Sequence, residues 1–258
     1  MQSRTLKLAF SLIALFASGA GFAQTAAPAA PPAPEIKLDT GFVYARGTYG
    51  LPTNTDIFMA LVNPTYENPD WRVQGSLPYI WLHGPASVVG NAGTAVTSRS
   101  EHGIGDATLA VTRKLTAPDG WFPSFGAKVK FPTADDAKGL GTGRTDLSLE
   151  SDVAKKFGDL TPYATLGYQF LGRSAAYPMK DGLFGTLGFV TNMSDQLVAG
   201  LAGNWRQPTI SGGSSASELM VFVQQKLSGD SHLQFFVLHG FTDASPTFAA
   251  GLTLSWMF

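Results

Sequence analysis

Side-chain polarity alternates with period two from residue 40 to the C-terminus, and the final segment shows it most plainly. Phe248, Ala250, Leu252, Leu254, Trp256 and Phe258 fall on one face, while Thr247, Ala249, Gly251, Thr253 and Ser255 fall on the other. Successive side chains of a strand point to opposite faces, so this spacing belongs to a strand with one apolar and one polar side. Similar segments recur at residues 40–50, 56–66, 70–83, 103–115, 121–131, 145–157, 161–171, 182–193, 196–207, 217–227 and 231–241, which with 247–258 makes twelve candidate strands. Each is near the roughly 9–11 residues of a tilted membrane-crossing strand. The connections alternate as well. Tight turns at 67–69, 116–120, 158–160, 194–195 and 228–230 take turns with longer loops at 51–55, 84–102, 132–144, 172–181, 208–216 and 242–246. Bacterial membrane barrels have short turns at one end and long loops at the other, with an even strand number.

The composition agrees. Charged residues are 14 % of the chain, against roughly 25 % in an ordinary soluble domain. A helical span needs about 20 consecutive apolar residues, and none occurs beyond the first 25 residues. The apolar 44 % is therefore dispersed, as in an all-β, antiparallel, up-and-down transmembrane β-barrel. The net charge of −1 gives no reason to expect nucleic acid as a partner. The absence of cysteine removes disulfides, thiolate metal sites and thiol nucleophiles.

The N-terminus reads as an address. Arg4 and Lys7 precede an apolar core at 8–17, too short to span a bilayer, and small residues lead to Ala23. Cleavage after Ala23 is expected, so residues 1–23 are a signal peptide. Residues 24–39 are then an Ala/Pro-rich periplasmic tail, because proline suits neither helix nor sheet, and 40–258 form the barrel. The expected location is the outer membrane of a Gram-negative cell. Trp256 and the terminal Phe258 resemble the signal read by the outer-membrane barrel assembly machinery, an expected partner together with outer-membrane lipid.

Parity assigns faces. Leu109, Val111 and Leu115 point to lipid, and Asp106, Thr108 and Thr112 inward. Phe125, Val129 and Phe131 point out, and Lys128 and Lys130 in. Leu147, Leu149 and Val153 point out, and Asp146, Glu150 and Asp152 in. Phe184 and Val190 depart from the pattern by falling on the inward parity. A charge on the lipid face near mid-bilayer costs about 2–4 kcal/mol, which enforces these choices.

Two lumen-lining groups follow. Neighbouring strands should bring Lys130 to Asp146 and Lys128 to Glu150, either as cross-strand pairs or as a charged stripe that tunes permeation. If the turn at 228–230 sets Leu227 opposite Ser231, then Lys226 faces His232, Gln224 faces Gln234, Phe222 faces Phe236 and Met220 faces Leu238. The same register sends Leu219, Val221, Val223, Leu233, Phe235 and Val237 to lipid. The inward apolar patch Met220, Phe222, Phe236 and Leu238 either plugs a narrow barrel or offers a contact surface to hydrophobic solutes.

Four patches together resemble the family of outer-membrane proteins called "putative MetA-pathway of phenol degradation". They are Leu77-Pro78-Tyr79, Gly103-Ile104-Gly105-Asp106, Lys128-Val129-Lys130-Phe131-Pro132-Thr133, and Gly141-Thr142-Gly143-Arg144-Thr145-Asp146-Leu147. Residues 71–172 carry the likeness by motif, and the rest by pattern. The resemblance implies a porin-like channel or transporter for aromatic or other hydrophobic small molecules.

Other chemistry finds little support. The Gly-rich run 139–143 lacks the order of a phosphate loop and reads as a flexible outer loop. Asp135, Asp136 and Asp146 lack the dense spacing of a calcium loop. None of His83, His102, His232 and His239 has a serine two places on, which argues against an outer-membrane lipid hydrolase. The expectation is therefore a non-enzymatic channel for passive diffusion, with no cofactor and no metal. The alternative is a structural or adhesive barrel filled by side chains. The loop 84–102 is the longest and the leading candidate for a constriction.

Overall fold

The computed structural model describes residues 34–87, 99–175, 178–227 and 230–258. The expected signal peptide with its expected cleavage after Ala23, most of the Pro-rich tail, the centre of the 84–102 loop and the tip of the 228–230 turn lie outside the described residues. Among the described residues there are thirteen strands: β1 (Glu35–Gly47), β2 (Thr55–Glu67), β3 (Trp71–Gly84), β4 (Arg99–Ile104), β5 (Ala107–Lys114), β6 (Trp121–Phe131), β7 (Asp146–Lys155), β8 (Leu160–Phe170), β9 (Gly182–Asn192), β10 (Leu197–Arg206), β11 (Ala216–Lys226), β12 (Ser231–Gly240) and β13 (Phe248–Met257). Each pairs antiparallel with its neighbours. β1 pairs with both β13 and β2, and β2 with β3, so the sheet closes on itself. β4 and β5 lie one after the other along β3 and form one wall strand, which makes a barrel of twelve.

The structure moves two of the expected boundaries. The first strand begins at Glu35 rather than residue 40, because Lys37 and Asp39 both point inward and form an ion pair at 3.1 Å. The strand expected at 103–115 is interrupted. Ile104 pairs with Tyr79 and Thr108 with Ser76, so three residues oppose two across the gap. This is a β-bulge, in which the extra residue reverses the parity of the strand. Gly103 faces inward before it, and Asp106 and Thr108 face inward after it. Gly105 fits because a Cβ there would stand 2.6 Å from Ile80 Cδ1.

Closure leaves two surfaces. The outside carries the exposed apolar side chains Phe42, Phe58, Leu109, Phe125, Leu187 and Leu252. At the long-loop end it bears an aromatic cluster in which Trp81 lies 5.4 Å from Phe58 and 4.6 Å from Tyr79. At the short-turn end Arg113 covers Trp71 at 5.0 Å, and Lys155 covers Trp121 at 4.6 Å. Aromatic girdles flanking an apolar band mark a barrel that spans a bilayer. The tight turns follow from local backbone: Asp119 and Gly120 are both left-handed, and Trp121 N–H donates to Pro118 O at 3.3 Å, as a type I′ hairpin turn requires.

Candidate functional site

The inside of the barrel carries apolar and polar rows that run from strand to strand. One row runs Met220, Leu238, Ala249, Ala45, Ile57, Leu82 across β11–β13 and β1–β3. The next runs Phe222, Phe236, Gly251, Val43, Met59, Ile80. All of these except Gly251 belong to one buried apolar cluster. Two rows on β6–β10 are polar, Lys128, Ser148, Gln169 in one and Ser124, Asp152, Thr165, Thr186, Asn204 in another, whereas a third, Phe122, Ala154, Tyr163, Gly188, Ala202, is apolar and runs on into Met220.

Phe222 and Phe236 oppose each other, and Met220 opposes Leu238. Lys226 likewise opposes His232, and Gln224 opposes Gln234. The two rings turn apart. Phe222 lies over Gly200 and Phe236 over Gly251, each filling the space that a Cβ would occupy. Phe184 covers Gly167 in the same way, and Tyr163 sits on Gly188. These four rings therefore lie against the wall. Phe184 and Val190, which broke the expected pattern, do face inward; the glycines opposite or beside them leave room for their bulk.

On the polar side, Lys130 Nζ lies 2.7 Å from Asp146 Oδ2 and 3.1 Å from Asp106 Oδ2, and donates to Thr142 Oγ1 at 2.9 Å. Lys128 pairs in the ladder with Ser148, while Glu150 lies across Gly126 one position along, within electrostatic reach of Lys128. Asp152 accepts the Ser124 hydroxyl at 3.1 Å and the Thr165 hydroxyl at 2.6 Å.

The Gly-rich run, expected as a flexible outer loop, packs inward. Residues 139–142 are buried. Leu140 is wholly shielded and sits on the inward face of Gly103, 3.0 Å from where a Cβ would stand. Asp106 accepts from Ala134 N–H at 3.1 Å. Thr133 bridges the bulge, accepting from Ala107 N–H at 2.8 Å and donating to Gly105 O at 2.8 Å. Gly105 N–H donates to Pro78 O at 2.9 Å. The four sequence patches thus converge on one place, where they tuck the 132–145 loop into the mouth. Composition hid this, because the glycine that receives Leu140 lies far away in sequence.

The polar side encloses a cavity of about 50 Å³, lined by Lys128, Gln169, Arg206, Tyr163, Phe184 and Met220 among others. Near the short-turn end, His232, Ser255 and Asp39 are successive partners across β12, β13 and β1. Sequence spacing missed this trio because its members come from both ends of the chain. Ser255 stands between the other two, whereas a relay needs the imidazole between hydroxyl and carboxylate. At the long-loop rim, His102 Nδ1 lies 2.8 Å from the Tyr79 hydroxyl on the outer face, and His239 packs on Phe241. Trp256 and Phe258 lie at the β13 end, where Phe258 N–H donates to Ile36 O at 2.8 Å.

Known proteins place this architecture. The chain is similar to the NanC porin, with a TM-score of 0.56 and 10 % identity over 85 % of this chain and 98 % of that one. It is also similar to the translocator domain of the autotransporter NalP from Neisseria meningitidis, with a TM-score of 0.53 and 11 % identity over 88 % and 89 %. The β domain of the Bordetella autotransporter BrkA gives a TM-score of 0.53 and 11 % identity over 88 % and 100 %. At such identities the likeness concerns the fold, an outer-membrane type of barrel. No curated protein matches the sequence. A family model described as "Putative MetA-pathway of phenol degradation" matches residues 24–258, essentially the whole barrel. The chain belongs to that family of outer-membrane β-barrel proteins.

Proposed function

We propose that the barrel is a passive outer-membrane channel for small hydrophobic or aromatic molecules. The observation that carries this reading is the flattened pair Phe222 and Phe236, seated on Gly200 and Gly251. The rings lie against the wall as part of an apolar lining, and at 4 % exposure each they meet a solute as neighbouring side chains give way. The polar rows opposite keep water and solute headgroups solvated, so an amphipathic solute meets a suitable partner on each side. Diffusion of this kind needs no catalytic group and no cofactor. In this reading the long loops face outward, the termini lie on the periplasmic side, and the terminal strand with Trp256 and Phe258 is handed to the barrel assembly machinery.

The test is uptake into liposomes, measured above protein-free controls, by the wild type and by Phe222→Ser/Phe236→Ser. A contact surface predicts that uptake of a small phenolic falls while that of a small sugar holds or rises. If both solutes enter faster, the rings are a plug. If neither enters with either protein, the channel reading fails.

A second reading, a structural barrel without transport, draws on the tucked loop. Leu140 is wholly buried in the mouth, and the apolar cluster reaches across the lumen side of β1–β3. Single-channel conductance in a planar bilayer separates the two: a barrel that is only structural carries no current.

A further inference from the structure

Gln169, Lys128 and Arg206 come together at one cavity in the lumen wall, and all three present hydrogen-bond donors. Gln169 is 4 % exposed, and its side-chain Nε2 has no hydrogen-bond partner among the described residues. Buried polar groups are nearly always satisfied, so an orphaned donor beside a cavity marks where an acceptor is missing. The placement is fixed by register: Lys128, Ser148 and Gln169 are successive partners on β6, β7 and β8, and Arg206 ends β10.

The charges lining the cavity are cationic. Glu150 lies across Gly126 beside Lys128, and Glu218 accompanies Arg206, but neither carboxylate lines the cavity. They offset the two cationic charges from within the wall without lining the cavity. Met220, Tyr163 and Phe184 supply an apolar border on the same cavity. At about 10–15 Å³ per water, 50 Å³ takes about three to five small groups. That suits a compact head with the rest of the solute projecting into the lumen, and it is too small for a sugar.

We propose that this cavity is a subsite for the carboxylate of a small monocarboxylate whose body is apolar or aromatic. The head accepts from Gln169 Nε2 and from the Lys128 and Arg206 side chains, and the body lies along Tyr163, Phe184 and Met220 toward the apolar rows. The inference rests on the channel reading and deepens it, by naming a head group that the solute carries.

Benzoate and benzyl alcohol share a ring and differ in the head, so they serve as probes. The detergent-solubilised barrel is titrated with each by calorimetry, and the same preparation is placed in a planar bilayer to record current. Two variants are used: Gln169→Leu, and the charge-balanced pair Lys128→Gln/Glu150→Gln, which leaves no buried carboxylate alone. Wild-type protein should bind benzoate at least about tenfold more tightly than benzyl alcohol, and each variant should lose about tenfold in benzoate affinity with benzyl alcohol unchanged. Equal affinity for the two probes, or benzoate binding untouched by both variants, overturns the subsite, even in a barrel that conducts. Selective benzoate binding in a barrel that passes no current keeps the subsite and overturns the channel instead.

Discussion

The ring of Phe236 lies over Gly251, its strand partner, in the space where any other residue would carry a Cβ. Glycine here is a seat for an aromatic side chain that would otherwise stand out from the wall, the same device used to shield glycines in designed sheets. Gly251→Val should lift the ring off the wall. The expected result is an overpacking cost of about 1–3 kcal/mol together with a smaller single-channel conductance. A folded, heat-modifiable Gly251→Val barrel with wild-type conductance would show that the ring's position does not limit the bore.

Lys130 neutralises two buried carboxylates at once, Asp106 and Asp146. Removing one partner of a buried ion pair strands the other, at about 3–5 kcal/mol. Lys130→Met should be destabilised by that order in denaturant unfolding, and Lys130→Met/Asp106→Asn/Asp146→Asn should recover most of the loss. The single variant should also release the 132–145 loop and raise conductance. A loss near that of a surface pair, about 0–1 kcal/mol, would mean that the cluster is solvated in the mouth.

Leu252 is exposed on the outside and Thr253 faces in, on adjacent positions of one strand. Leu252→Arg should cost about 2–4 kcal/mol if the site lies near the bilayer midplane, and Thr253→Arg much less. Equal costs, measured by reversible unfolding in lipid vesicles, would mean that the two residues do not differ in exposure to lipid.

Tyr49 sits in the loop between β1 and β2 with a left-handed backbone and a buried ring. Burial, then the nearby carboxylates of Glu218 and Asp56, push its hydroxyl well above the ordinary 10.0. The unfolded chain gives up this proton first, so the folded form holds it over the window from 10.0 upward. Stability contributed by the neutral hydroxyl is complete below that pH and falls as pH rises through the window. Tyr49→Phe should lack this alkaline slope in its unfolding free energy. Identical slopes in both proteins would sink the assignment.

The register of β11 against β12 was legible in sequence because both faces were constrained: one slip would have sent Phe222 and Phe236 to lipid and Val221 and Val223 inward. Lys130 beside Asp146 was legible for the same reason. The start of β1 was not, because Lys37 and Asp39 look like linker residues until their pairing inside the barrel is seen. The bulge at Gly105-Asp106 was also hidden, since a single extra residue leaves the alternation on either side intact. Which glycine seats which ring depends on strand pairing, and composition records only that both are plentiful. The cavity donors Gln169 and Arg206 went unnoticed because each looks ordinary in its own strand, and only the closed wall sets them beside Lys128.

Both apolar rows cross the seam between β13 and β1, through Ala249 to Ala45 and Gly251 to Val43. That seam joins the two ends of the chain, the pairing with the largest loop-closure entropy to overcome. The polar cluster around Lys130 draws on three consecutive wall strands and can form early from local contacts. These two apolar rows cannot, because each needs β1–β3 from one end of the chain and β11–β13 from the other. Sealing the ring and hiding its greasy interior are therefore one event, so the lining proposed to meet a solute also supplies the drive that shuts the barrel.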